Sequence, residues 1–278
     1  MRVTVEGVEA HVATGGRKHG EGKPWILFLH GAGSSHLSWA LQTRAFAYDG
    51  WNVMAPDFPG HFLSVGSTGG SALEGIEAHA RWVIALMDAV GAEQAVVAGH
   101  SMGGLVALEI ARIAPKRVRA VILIGTAAAI PVNPALIEMA ENLEEEAFAS
   151  MTSWSYGPGA QLHENTWPGA SHIFFNLDMM RRNPKGVLAT DLKTCAAYQG
   201  GPDAARGLRC PSLCILAGTD RMTPLRNGRT LAEMLPDNEV VVVADSGHTL
   251  PTEKPRQVNA AIRGFLSRRL DGEMLAAG

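Results

Sequence analysis

Residues 95–104 read Ala-Val-Val-Ala-Gly-His-Ser-Met-Gly-Gly. The apolar run Ala95–Ala98 leads into a G-x-S-x-G pattern, and helical spacing begins at Met102. A strand that reverses sharply into a helix crowds its own backbone. Glycine at 99 and 103 lets the two segments pass closely, because no Cβ intervenes. The same turn pushes the Ser101 hydroxyl into a cleft where a histidine can reach it. The pattern gains its weight from this strand–turn–helix context, since five residues alone recur by chance.

Outward from this turn the chain keeps a regular rhythm. Arg2–Val5 and Val8–Ala13 alternate as an antiparallel pair, and Trp25–Leu29 is apolar on both faces, like a central strand. Further strands are expected at Trp51–Ala55, Gln94–Ala98, Val118–Ile124, Ser212–Ala217 and Glu239–Val243. Helical spacing lies between them, near 37–48, 72–90 and 102–113, then 224–235 and 255–270. Strands alternating with helices predict an α/β fold: a mainly parallel, eight-stranded sheet with helices on both faces. From Thr126 to Leu208 the strand rhythm stops. That stretch, with an acidic helix around Glu138–Phe148 and another near Pro184–Tyr198, is expected to be a helical cap inserted after the sixth strand. The domains are thus 1–125 with 209–278, and the cap 126–208.

Composition narrows the class. A chain of 278 residues with 46% hydrophobic and 18% charged residues suits an ordinary globular enzyme. A net charge of −3 gives no field for nucleic acid, and no basic cluster stands out. Cys195, Cys210 and Cys214 are too sparse for a disulfide framework and read as free thiols. The first residues alternate like a strand and lack an apolar signal core. No stretch is long enough to span a membrane. A cytoplasmic protein, monomer or homodimer, acting on a small molecule is expected.

In a mainly parallel sheet, ligands bind beyond the carboxyl ends of the strands, so chemistry is expected at the residues after each strand. Ser101 needs a base, because a free hydroxyl attacks poorly at neutral pH. His248 follows Val240–Val243 in the turn Asp245-Ser246-Gly247-His248. Its imidazole needs a carboxylate to fix the tautomer, and Asp220 follows Cys214–Ala217 in Gly218-Thr219-Asp220. Asp245 is near His248 in sequence but poorly placed to orient it. His30 and His100 read as structural neighbours. An oxyanion needs preorganised N–H donors. Those expected are Met102, at a helix start, and Ala32, in the loop His30-Gly31-Ala32-Gly33-Ser34-Ser35.

With these motifs the chain resembles the α/β-hydrolase fold superfamily, in the branch of esterases, lactonases, C–C hydrolases and cofactor-free haloperoxidases. HGAG at 30–33, GHSMGG at 99–104, GTDRMTP at 218–224 and GHTLPTEKP at 247–255 occur in family order. The resemblance spans residues 2–125 and 208–270. It implies the order Ser101, Asp220, His248 for the triad. Asp57-Phe58-Pro59-Gly60-His61 resembles the family's D-x-P-G-H-G-x-S turn, but Phe62 replaces a glycine, so residues 61–64 are expected to turn differently. Asp57 and His61 are given structural roles. Serine at 101, where epoxide hydrolases and haloalkane dehalogenases carry aspartate, implies an acyl-enzyme.

No G-x-G-x-x-G follows a strand, and the histidines lack metal-hydrolase spacing, His163-Glu164 included; neither cofactor nor metal is expected. Met151, Trp154, Trp167, Phe174, Met179 and Met180 could line an apolar pocket, with Trp154, Trp167, Phe174 and Met180 as substrate candidates. Arg181 and Arg182 read as a solvated helix end. The expected function is hydrolysis of small to medium, largely apolar carboxylic esters. The alternatives are a C–C hydrolase, lactonase or perhydrolase on the same scaffold, or a ligand receptor with a near-silent triad.

Overall fold

The computed structural model describes residues 1–64, 72–161 and 171–274. Its strands are β1 (Arg2–Val5), β2 (Val8–Ala13), β3 (Trp25–Leu29), β4 (Asn52–Pro56), β5 (Ala95–His100), β6 (Val118–Ile124), β7 (Ser212–Ala217) and β8 (Asn238–Val243). They form one eight-stranded sheet in the order β1-β2-β4-β3-β5-β6-β7-β8. β2 pairs antiparallel with β1 and with β4; the pairs from β4 to β8 are parallel. This is the mainly parallel α/β sheet that the strand rhythm predicts.

Alternate residues of the central strands feed two apolar layers, as a two-residue side-chain period requires. Leu27, Val97, Val121 and Cys214 pack with helices α2 (Ile76–Ala89) and α3 (Met102–Ile113) on one face. Ile26, Val96, Ile122 and Ile215 pack with α1 (Ala40–Tyr48) and the long carboxyl-terminal helix on the other. Both faces are covered, which explains why these strands read as continuous apolar runs. β8 is an edge strand, and Val240 and Val242 are exposed there.

Six described helices lie between β6 and β7: α4 (Pro134–Asn142), α5 (Glu144–Ser155), α6 (Pro158–Gln161), α7 (His172–Arg181), α8 (Val187–Ala197) and α9 (Gly201–Arg206). The acidic helix expected around 138–148 is two helices. The chain breaks at Leu143, with φ −136° and ψ 59°, so that Glu144, Glu145 and Glu146 form the first turn of α5. Carboxylates there meet the positive end of the helix dipole. Ala147, Phe148, Met151, Met180, Leu188 and Leu192 form a third apolar cluster that touches Ala32 and Met222, beyond the carboxyl ends of β3 and β7. The helical layer therefore lies over the end of the sheet where ligands are expected.

After β7 come α10 (Leu225–Met234), α11 (Leu250–Glu253) and α12 (Pro255–Met274). Cys195, Cys210 and Cys214 are free. Among the described residues, no helix is long and apolar enough to cross a membrane.

Candidate active site

Ser101 stands between β5 and α3 with φ +52° and ψ −118°. For a residue with a Cβ this is a left-handed, strained conformation, worth about 1–3 kcal/mol. Neighbouring glycines make it possible. A Cβ on Gly99 would overlap the Gly103 carbonyl, and one on Gly103 would overlap the Leu29 carbonyl. The Ser101 N–H donates to Ile124 O (3.0 Å), and Thr126 Oγ1 donates to Ser101 O (2.8 Å). The backbone is thereby pinned to β6, while the side chain faces a cavity.

His248 and Asp220 meet across the tips of β8 and β7. His248 Nδ1 is 2.9 Å from Asp220 Oδ2, and both side chains are almost fully buried. The Met222 and Thr223 N–H groups each donate to Asp220 Oδ1 (2.8 Å), and Thr223 Oγ1 lies 2.9 Å from Oδ2. Burial pushes this carboxyl up, but the His248 imidazole and the Thr223 donors outweigh it and hold it below its ordinary range. An ionised Asp220 fixes the proton on Nδ1 and leaves Nε2 as the basic nitrogen. Asp245, the rejected acid, is exposed.

Ser101, His248, Ala32 and His100 line one cavity of about 250 Å³, together with Met151, Trp154, Phe175, Met179 and Met180. Of the four side chains expected at the substrate, Trp154 and Met180 line it. Phe174 is 66% exposed, and its neighbour Phe175 takes the wall position instead. Helical residues one apart face about 100° from each other, a difference composition cannot reveal. Trp167 lies outside the described residues.

No hydrogen bond among the described residues uses the Ala32 or Met102 N–H. Met102 is the first residue of α3, where the N–H groups lack intrahelical acceptors. Both amides are thus available to an anion at the Ser101 turn. The Ala32 loop is fixed by α8 and the turn before it. Gly33 N–H donates to Asp191 Oδ2 (2.7 Å), and Asn183 Nδ2 donates to Gly33 O (2.8 Å).

Sequence reading missed Asp191, which is fully buried. Its Oδ2 also lies 2.9 Å from His61 Nε2, and His61 Nδ1 lies 3.2 Å from Pro59 O. Both ring nitrogens of His61 face acceptors, an arrangement that favours the doubly protonated ring. Burial opposes that charge, but Asp191 outweighs it and raises the His61 pKa. Burial likewise pushes Asp191 up, and His61 outweighs it, leaving its pKa below the ordinary value. The available signal was a charge on the otherwise apolar stripe Leu188, Leu192, Cys195 of α8. His30 differs: its Nε2 accepts from Phe58 N–H (3.1 Å) and its Nδ1 meets Gly31 O (2.9 Å). Burial pushes its pKa down to about 3, as it does for His100, whose Nε2 lies 2.9 Å from His248 O.

Phe62 takes the left-handed conformation, φ +35°, that a glycine would hold easily. Its ring stacks on His36 (5.7 Å) and under Arg182 (5.8 Å). His36 Nδ1 is 2.8 Å from Asp57 Oδ1, and His11 Nδ1 is 3.2 Å from Asp57 Oδ2. Among the described residues these three are the group whose spacing could hold a metal ion. The carboxylate already accepts from the His36 backbone N–H (2.7 Å) and lies against both imidazoles, so it is engaged without a further ligand.

The fold and the rim chemistry define an α/β hydrolase. Residues 26–261 match the Alpha/beta hydrolase family, and the chain belongs to it. It is 27% identical over 255 residues to the dihydrolipoyllysine-residue acetyltransferase component of an acetoin cleaving system from Pseudomonas putida, spanning 90% of this chain but 65% of that protein. It is 29% identical over 251 residues to a pimeloyl-[acyl-carrier protein] methyl ester esterase from Aromatoleum aromaticum, covering 81% and 91% of the two chains. In structure it resembles the enol-lactonase from Burkholderia xenovorans LB400, with a TM-score of 0.83, 24% identity, and 96% and 100% coverage. That last likeness speaks to the fold.

Proposed function

We propose that this chain is a serine hydrolase of small to medium, largely apolar carboxylic esters, working through an acyl-enzyme. The observation that carries this reading is the strained Ser101 turn facing the same apolar cavity as a buried, carboxylate-oriented histidine. His248 Nε2 takes the Ser101 proton as Oγ attacks the ester carbonyl. The oxygen becomes an anion, held by the Ala32 and Met102 N–H groups, each worth about 3–4 kcal/mol in such sites. The tetrahedral intermediate collapses, and the leaving alkoxide takes the proton from His248. Water, deprotonated by His248, then releases the acid by the same steps in reverse order. Asp220 stabilises the imidazolium formed in each half.

Residues 126–208 serve as the cap that shapes the acyl pocket, through Trp154 and Met180 among others. A cavity of about 250 Å³ falls below the usual range for drug-sized ligands, which favours short acyl groups. The test is turnover of p-nitrophenyl esters of rising acyl length. Wild type should show a maximum at short to medium chains, and Ser101→Ala should show none above background. Ser101→Ala retaining near-wild-type rates would reject the assignment.

A further inference from the structure

Arg221 is set apart by its surroundings. It lines the cavity and is exposed to solvent. Among the described lining residues it is the sole side chain with a fixed charge; no Asp, Glu or Lys joins it. His100, on the same wall, is kept neutral by burial. The carboxylate adjacent in sequence, Asp220, cannot balance Arg221, because its oxygens are engaged by His248, Thr223 and the Met222 N–H. The arginines of the helical segment that could have served the cavity are spent elsewhere. Arg181 pairs with Glu145 (2.7 Å) and Arg182 with Asp178 (2.7 Å). Among the described residues, a planar, permanently charged fork is therefore left without a partner at the cavity wall.

Building on the ester-hydrolase reading, we infer that Arg221 is a carboxylate-binding site, and that the preferred substrates are esters or lactones carrying a second, free carboxylate. The guanidinium offers paired N–H donors matched to that group. The apolar walls take the chain between carboxylate and scissile carbonyl. Because Arg221 is exposed, its attraction is screened by salt, with a Debye length of about 8 Å at 0.15 M. The preference for anionic substrates is therefore largest at low ionic strength.

The test compares two six-carbon acyl esters, mono-p-nitrophenyl adipate and p-nitrophenyl hexanoate, each corrected for spontaneous hydrolysis. Wild type should favour adipate in kcat/KM at low salt, chiefly through KM. Arg221→Gln should lower the adipate-to-hexanoate ratio about two- to fivefold, and Arg221→Lys should retain part of it. Raising salt to 0.5 M should shrink the wild-type ratio and leave the Arg221→Gln ratio nearly flat. Binding of free adipate, read by quenching of Trp154 on the cavity wall, gives a signal that needs no turnover; it should weaken in Arg221→Gln. A wild-type ratio unchanged by Arg221→Gln, or adipate quenching equal in both proteins, overturns the carboxylate site while ester hydrolysis stands. Adipate quenching that depends on Arg221, with neither ester turned over, keeps the site and rejects the ester reading.

Discussion

The turn at Ser101 and the loop bearing Ala32 lie side by side at the carboxyl end of the sheet, yet they are built differently. The turn is set within the sheet: glycines at 99 and 103 admit the close approach to α3 and β3, and β6 holds the Ser101 backbone. The Ala32 loop takes its shape from partners about 150 residues away, Asp191 and Asn183. The His248 turn is tied outward as well. Thr249 N–H donates to Ser155 O (3.1 Å), and Gly157 and Gly247 both donate to the buried Glu253 carboxylate. One element of the site is thus held by the sheet, while two depend on the helical segment between β6 and β7. That segment holds the loop that presents one of the two proposed oxyanion donors.

Variants can break this contrast. Ser101→Ala should remove about 10⁴-fold or more of kcat while leaving the thermal unfolding midpoint no lower than wild type, since strain is not increased. Steady-state kinetics and a melting curve check both halves. Asp191→Asn should destabilise the chain by about 3 kcal/mol, because it strands a buried imidazolium without its counter-charge. It should also lower kcat about tenfold through displacement of the Ala32 loop. Urea unfolding and ester kinetics read the two effects, and unchanged stability would contradict the buried pair. Gly99→Ala should also destabilise by about 3 kcal/mol, but by local overlap at the Ser101 turn, so circular dichroism should show early melting with no change in its pH dependence.

The Asp191–His61 pair also predicts a pH signature. His61 has a raised pKa, so its contribution is present below the ordinary histidine value and is lost as pH rises through the folded one. Asp191 has a lowered pKa, so its contribution is present above the ordinary carboxylate value and is lost as pH falls through the folded one. The stability gap between wild type and Asp191→Asn should therefore be widest from about pH 4 to 6.5 and should narrow toward alkaline pH. A gap that grows with alkalinity would contradict the charge assignment. Asn183→Ala, the mildest change, should cost about 1–2 kcal/mol and shift kcat in the same direction as Asp191→Asn.

The same contrast explains what could be read from the sequence. The strands and the Ser101 turn were legible because two-residue alternation, apolar runs and glycine spacing are local signals. Asp220 and His248 could be singled out because each lies in the turn after a strand. Asp191, Asn183 and Arg221 were not, since their meaning lies in partners, or a missing partner, brought together by the fold. The break at Leu143 was hidden because residues 138–148 keep helical composition throughout. Phe174 and Phe175 are chemically alike, and only the rotation of α7 decides which one reaches the cavity.

The central claim is that Ser101 is the activated nucleophile. Treatment with a fluorophosphonate, followed by intact mass and peptide mapping, tests it without knowledge of the natural substrate. One adduct per chain on Ser101, formed far more slowly in His248→Ala and Asp220→Asn, is the predicted result. No adduct, or one on a different residue at the same rate in all three proteins, would contradict it.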